Sequence, residues 1–236
     1  MRYKSFVYTL CMATATLLLN GCATSYYVQT NAYLDRSFQN SQLPAGAAFT
    51  VLSNQNAPNP IFDNEVKTKI ETLLLSKGYR LASEGQSQYF ITFNYDVSGK
   101  TKTETRPDFV TRPELTHRVY VSGSNTYYDL ISPGYSYVTY ISETFTVYNA
   151  RVFVKVLDAA SLKKNDQERV AWVGDTINES QNPDLRESID YLLVATFKFF
   201  GQDTGKNKEV VLSQDDKEVA RLRNAVHAAL DPAKAG

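Results

Sequence analysis

Three kinds of hydrophobic spacing follow one another along this 236-residue chain. The first is an apolar run from Phe6 to Leu19, interrupted only by small residues, behind Arg2 and Lys4 and ahead of Gly21-Cys22. The second is helical. Phe62, Val66, Ile70, Leu73 and Leu74 recur at three- and four-residue spacing. So do Leu185, Ile189, Leu192, Leu193, Phe197 and Phe200, and later Val219, Leu222, Val226 and Leu230. The third is alternation by two, the mark of a half-buried strand. Ile91, Phe93, Tyr95 and Val97 show it between Tyr89 and Val97, and Val152, Val154 and Val156 show it again.

Punctuation fixes the ends of these segments. Asn59-Pro60 predicts an N-cap and a first helical residue, since proline has no N–H to leave unpaired there. Lys77-Gly78 and Gly201 predict left-handed helix stops. Asn182-Pro183 repeats the first cap, and Ser213-x-x-Asp216 suggests a capping box before the third helix. Short strands are expected at 49–52, 79–82 and 208–212, and 135–142 and 144–158 read as strand-like. Arg169 to Ile177, carrying Trp172, is expected to pair as a hairpin with 150–158. Phe145 and Val147 have the opposite parity to Val152, so a bulge or bend is expected near Asn149-Ala150. Trp172 and Phe93 are expected to face the helices. The fold class is α+β: a largely antiparallel sheet with two main amphipathic helices packed on one face, plus a C-terminal helix.

The first segment changes the picture of where this domain sits. A positive start, a short apolar stretch and a small residue at the cut describe a secretory signal. Its apolar stretch of about 14 residues is well short of the roughly 20 a spanning helix needs. Leu19-Asn20-Gly21-Cys22 resembles the bacterial lipobox, which implies removal of residues 1–21 and acylation (diacylglycerol, palmitate) of Cys22. Ala23 in place of Asp is similar to an outer-membrane sorting signal, so the expected location is a periplasm-facing outer-membrane anchor. Residues 22–47 then form a lipid-anchored leader, with Tyr26 to Leu34 either a first strand or part of a tether. Residues 48–212 form the domain, and 213–236 a C-terminal helix and tail.

Composition narrows the chemistry. Cutting before Cys22 leaves 23 basic against 25 acidic residues, with no basic stripe of the kind nucleic-acid binding requires. Cys11 leaves with the signal and Cys22 is acylated, so no disulfide forms within the mature chain and a Cys/His zinc site has no thiolate. No cofactor or metal is expected. Only His117 and His227 are present. Nothing resembles the Gly-x-Ser-x-Gly nucleophile elbow. Gly201-Gln-Asp-Thr-Gly205-Lys206 is one residue short of a phosphate loop and follows a helix where that loop follows a strand. Asp158 is an acid by position, but aspartate at a strand end commonly bonds the turn backbone.

Several stretches in order resemble one family. They are Phe49-Thr-Val-Leu, Lys77-Gly78-Tyr79, the Tyr89 to Val97 strand, Val156-Leu-Asp-Ala-Ala160 and Val170-Ala-Trp-Val-Gly174, then a helix entered through Asn-Pro. Over about residues 26–201 they are similar to the bacterial envelope lipoproteins grouped as domain of unknown function 4136. The resemblance implies an α+β lipoprotein domain without an assigned activity.

One region stands outside that pattern. Residues 98–144 form a Tyr- and Arg-rich excursion, longer than a connection needs, and long loops of that kind are functional or disordered. The candidate binding surface is Arg112, His117, Arg118, Tyr127, Tyr128, Tyr135 and Tyr137, residue types enriched at interfaces. The expected function is that of a non-catalytic envelope lipoprotein that binds a partner protein or supports an assembly. Two alternatives stay open: a small periplasmic hydrolase built on His117 with a distant Asp or Ser, and a binder of a glycan or small apolar ligand through the tyrosines.

Overall fold

The computed structural model describes residues 25–37, 42–54, 57–121, 123, 126–163 and 168–230. The signal segment and Cys22 lie outside the described residues. The chain divides into two compact units, one of residues up to 98 together with those from 148 onward, the other of residues 99–147.

The first unit is a sheet–helix unit. Its strands are β1 (Ser25–Leu34), β2 (Ala48–Val51), β3 (Arg80–Leu81), the first part of β4 (Tyr89–Arg112), the last part of β7 (Tyr135–Asp158), β8 (Val170–Ser180) and β9 (Lys208–Ser213). Their order across the sheet is β3-β2-β4-β7-β8-β1-β9. β1 runs antiparallel to both β8 and β9, and β7 antiparallel to β8. β2 runs parallel to β3 and β4. The sheet is therefore mixed and mostly antiparallel. The helices are α1 (Pro60–Ser76), the short α2 (Ala159–Lys163), α3 (Leu185–Lys198) and α4 (Lys217–Leu230). α1 touches α3, α4, β2 and β3, while α3 touches β1, β8 and α4.

Alternation sorts the strand residues. In β1, Val28, Thr30, Ala32 and Leu34 are buried, while Tyr27 before them and Tyr33 among them, on the other parity, are exposed. Val152, Val154 and Val156 are buried on β7 with Ile91 and Phe93 on β4. They share one core with Ile70 and Leu74 of α1, Ile189, Leu193 and Phe197 of α3, and Leu222 of α4.

Trp172 explains a glycine two residues on. Its indole has no exposed surface and its Nε1–H donates to the Gln202 carbonyl at 2.9 Å. Its ring lies 4.8 Å from that of Phe200. A Cβ on Gly174 would lie 2.4 Å from the indole and 2.7 Å from Thr196, so only glycine leaves room for the ring over the strand.

The helix starts both agree with and depart from the expectations. Asn59 caps α1, its Oδ1 accepting from the Phe62 N–H at 3.1 Å, with Pro60 first in the helix. α3 starts later than Asn182-Pro183 suggests. Asn182 accepts from the Asp184 N–H at 2.9 Å, which leaves Asp184 extended to accept from the Arg186 N–H at 2.8 Å. Asp184 is thus the cap. At α4 the cap is Asp216, which accepts from the Glu218 and Val219 N–H groups, and Ser213 ends β9. A carboxylate placed immediately before a helix outcompetes a neutral amide or hydroxyl further back, because a charged acceptor makes the stronger bond to the free N–H groups.

Two other expectations change. Against β8 the register of β7 is continuous from Tyr148 to Val156 and shifts between Val156 and Leu157, so on that side the irregularity lies at Val156-Leu157. Val147 is buried all the same, on the opposite parity. The excursion is not a loop but strand through most of its length: β4 and β7 continue through it, and β5 (Leu115–Val121) and β6 (Thr126–Ser132) lie between them.

Candidate functional site

Within residues 99–147 the backbone explains its own turns. Pro113 and Pro133, which cannot donate to a ladder, each open a two-residue break between strands. Gly134 lies against the other break: a Cβ there would stand 2.8 Å from the Glu114 nitrogen and 3.0 Å from the Arg112 carbonyl oxygen. β5 and β6 form an antiparallel two-stranded sheet with His117 opposite Leu130 and Arg118 opposite Asp129. β4 neighbours β7 in the larger sheet. Thr103 meets Thr144 at 3.1 Å, Thr105 meets Ser142 at 3.1 Å and Thr111 meets Ser136 at 3.0 Å. One number rises as the other falls, so these parts of β4 and β7 are antiparallel.

What holds this unit together is ladder and cross-strand polar pairing, with almost no core. Arg106 pairs with Glu143 at 2.5 Å, and Arg118 grips Asp129 through Nε at 2.8 Å and Nη2 at 3.2 Å. Among the described side chains of residues 99–147, Val147 alone is buried. Large apolar side chains stand in solvent instead: Phe109 is 74 % exposed, Tyr140 71 % and Ile131 60 %. By strand alternation Phe109, Val138 and Tyr140 share the face that carries the Thr and Ser pairs. The opposite face carries Arg106, Glu143 and the rings of Tyr135 and Tyr137, 5.9 Å apart.

The seven candidate residues fall on two sheets. Arg112, Tyr135 and Tyr137 lie where β4 ends and β7 begins, and all three are exposed. His117 and Arg118 lie on β5, both exposed and on opposite faces as neighbours on a strand must be. Tyr127 and Tyr128 lie on β6 opposite Tyr120 and Val119. The guanidinium of Arg118 is already engaged by Asp129. The most exposed of the described large apolar residues here, Phe109, Ile131 and Tyr140, escaped sequence reasoning. For Phe109 the signal was present: a large apolar residue next to Asp108 in a charged stretch.

A second feature lies in the sheet–helix unit, where α1, α3 and α4 meet. Lys69 and Asp190 have side chains only 4 % and 5 % exposed, and Lys69 Nζ lies 2.8 Å from Asp190 Oδ1. The same ammonium lies 2.8 Å from Glu65 Oε1, Arg186 reaches Glu65 Oε2 at 2.7 Å, and Arg223 Nε donates to Asp190 Oδ2 at 2.7 Å. Burial works against the Glu65 carboxylate, but the bonds from Lys69 and Arg186 override it and hold its pKa below the usual glutamate value. Burial likewise opposes the Arg223 charge, and Asp190 restores it. Nearby, burial raises the Tyr26 phenol pKa, reinforced by its hydrogen bond to Glu187 at 2.7 Å. A cleft of about 640 Å³ opens over this cluster, with Asp184, Glu187 and His227 also on its wall. Its charges are taken up by one another, which makes it a structural lock between helices. Lys69 falls inside the apolar stripe of α1, and that misplaced lysine is the signal sequence reasoning passed over.

Asp158 does what strand-end aspartates do: its Oδ1 accepts from the Ala160 N–H at 2.9 Å at the entry to α2. Among the described residues no group of three His, Cys, Asp or Glu side chains is placed to hold a metal ion, and no helix is long and apolar enough to cross a membrane.

No family model and no curated protein matches the chain. Among solved structures it is similar to a PDZ domain protein from Parabacteroides distasonis, with 13% identity, a TM-score of 0.42, and coverage of 86% of this chain and 42% of that one. It thus spans less than half the length of that protein. It is also similar to the PelC dodecamer of Paraburkholderia phytofirmans, with 9% identity, a TM-score of 0.35, and coverage of 77% of this chain and 100% of that one. With TM-scores below 0.5, neither likeness extends the reading of the site.

Proposed function

We propose that this chain is a lipid-anchored envelope lipoprotein, of the kind grouped as domain of unknown function 4136, whose residues 99–147 hold a partner protein. The sheet–helix unit serves as scaffold, with α1 and α3 layered on one face of the sheet. Acylation at Cys22 fixes it to the periplasmic face of the outer membrane, and its role is non-catalytic. The observation that carries the reading is the exposure of Phe109, Ile131 and Tyr140 in a unit where Arg106 pairs with Glu143 and Arg118 with Asp129. Phe109 and Tyr140 share one strand face with Val138, and an apolar patch rimmed by polar groups marks an interaction site. The exposure of His117 on a strand face supports this reading over a hydrolase built on that histidine.

The test is a photoreactive amino acid placed at Phe109, at Tyr140 and, as a control, at the exposed Arg80 of the scaffold, followed by irradiation of intact cells. Discrete protein adducts at Phe109 and Tyr140 but not at Arg80 are expected. Adducts equal at all three positions, or absent from the first two, overturn the partner site. The anchor is tested separately: Cys22→Ala is expected to abolish labelling with radioactive palmitate, and persistent labelling overturns the lipobox.

A further inference from the structure

We infer that Tyr27 and Val211 form a membrane-contact patch that seats the anchored end of the sheet on a zwitterionic bilayer surface. The inference rests on acylation of Cys22. Cys22 precedes Ser25 by three residues, and an extended chain spans at most about 3.6 Å per residue, so Ser25 stays within roughly 11 Å of the anchor. Tyr27 stays within roughly 18 Å of it by the same measure.

The start of β1 cannot peel away to lengthen this link. β1 lies between two strands, Ser25 pairing with Ser213, Tyr26 with Leu212 and Val28 with both Val210 and Asn178. Tyr26 is further held by its stack on Tyr191, with ring centroids 3.7 Å apart. The anchored end of the sheet is therefore brought to the bilayer as a rigid edge.

The side chains at that edge suit it. Tyr27 and Val211 are a cross-strand pair, 59 % and 52 % exposed. Ile177, paired with Gln29 in the next row, is 37 % exposed. Beyond them the outer face turns polar, with Gln29 opposite Glu209 and Asn31 opposite Asp175, before Tyr33, 57 % exposed, at the far end of the strand. The Tyr27 row is thus the exposed apolar patch nearest the point where the acyl chains enter. Tyrosine is favoured at the headgroup level because its ring is apolar and its hydroxyl wet. At the same end Asp215, Asp216 and Glu218 outnumber Lys217, a balance that disfavours anionic headgroups and suits a zwitterionic surface.

The experiment uses the acylated full chain bound to phosphatidylcholine and phosphatidylethanolamine vesicles that carry brominated acyl chains. Trp172, the only native tryptophan, is fully buried and serves as background and as a reporter of folding. With Tyr27→Trp, bromolipid is expected to quench the added indole by about half or more, as for an aromatic side chain at the interface. Tyr33→Trp lies six residues further along the same face and is expected to stay unquenched. Vesicle flotation reads the anchor independently. Protein that floats while the Tyr27→Trp indole is unquenched, or is quenched no more than that of Tyr33→Trp, overturns the patch and leaves the anchor standing. Acylated protein that fails to float overturns both.

Discussion

The two units use similar residues in opposite ways. In the sheet–helix unit Val, Leu and Phe alternate into a shared core, and even Lys69 and Asp190 are taken inside once they have each other. In residues 99–147 Phe109, Leu115, Leu130, Ile131, Tyr135, Tyr137 and Tyr140 face water, and Arg106–Glu143 and Arg118–Asp129 pair across strands at the surface. The first arrangement yields stability, since burial of apolar area is the dominant favourable term in folding. The second yields little, because an isolated hairpin is marginal in water. The chain carries it by running β4 and β7 continuously from one unit into the other. An expanse of sheet that contributes little to stability and displays aromatic side chains is suited to contact with another molecule.

The sharpest way to break this contrast is to attack the buried elements. Trp172→Ala is expected to cost about 3–5 kcal/mol in urea unfolding, as for a fully buried large side chain. Asp190→Ala, which strands Lys69 and the Arg223 bond, is expected to cost a similar amount, about 3–5 kcal/mol. The exposed counterpart, Arg118→Ala, is expected to cost far less, because solvent screens the pair. Equal losses for Asp190→Ala and Arg118→Ala would remove the distinction between the units.

Overpacking comes next. Gly174→Ala pushes a methyl into the Trp172 ring and is expected to cost about 1–3 kcal/mol. The same change made together with Trp172→Phe is expected to be milder, because the indole atoms it strikes are gone.

A pH series isolates one carboxylate. The folded pKa of Glu65 lies below its unfolded value of about 4.3. Its contribution is therefore complete above that value and is lost as pH falls through the folded pKa, where the folded state also takes up the proton. The stability gap between the wild-type chain and Glu65→Gln is expected to be constant near neutrality and to close below about pH 4. A gap that widens on acidification would contradict the assigned direction.

The smallest expected effect is on the scaffold when the second unit is removed. Replacing residues 101–146 with an Asn-Gly turn joins β4 to β7 as a short hairpin. The melting temperature is expected to move by only a few degrees, since the segment removed holds almost no core. Loss of the far-ultraviolet circular dichroism of the sheet would show that residues 99–147 support the fold.

The contrast also explains what was legible in the sequence. α1 and α3, their glycine stops and the buried parity of β7 were readable because one-sided burial writes a period into the sequence. Of residues 99–147, the stretches 135–142 and 144–147 read as strand and are part of β7, but 99–134 were not readable, because strands without a buried face carry no alternation, and Thr-rich charged stretches broken by Pro113 and Pro133 look like loop. The parallel pairing of β2 with β4 depends on contacts distant in sequence. The Lys69–Asp190 lock was missed because a charge on a helix is usually solvated, and only the packing of three helices shows otherwise. The caps of α3 and α4 turned on which of two nearby acceptors wins, a competition that residue preferences alone do not decide.

The central claim, that residues 99–147 contact a partner while the remainder is scaffold, is tested most directly by crosslinking in the native envelope. The full chain is compared with the chain in which an Asn-Gly turn replaces residues 101–146, each with a lysine-reactive crosslinker and with palmitate labelling as an internal control. The account predicts that the shortened chain remains folded and labelled but loses the adducts that the full chain forms. The same adducts from both chains, or none from the full chain, would contradict it.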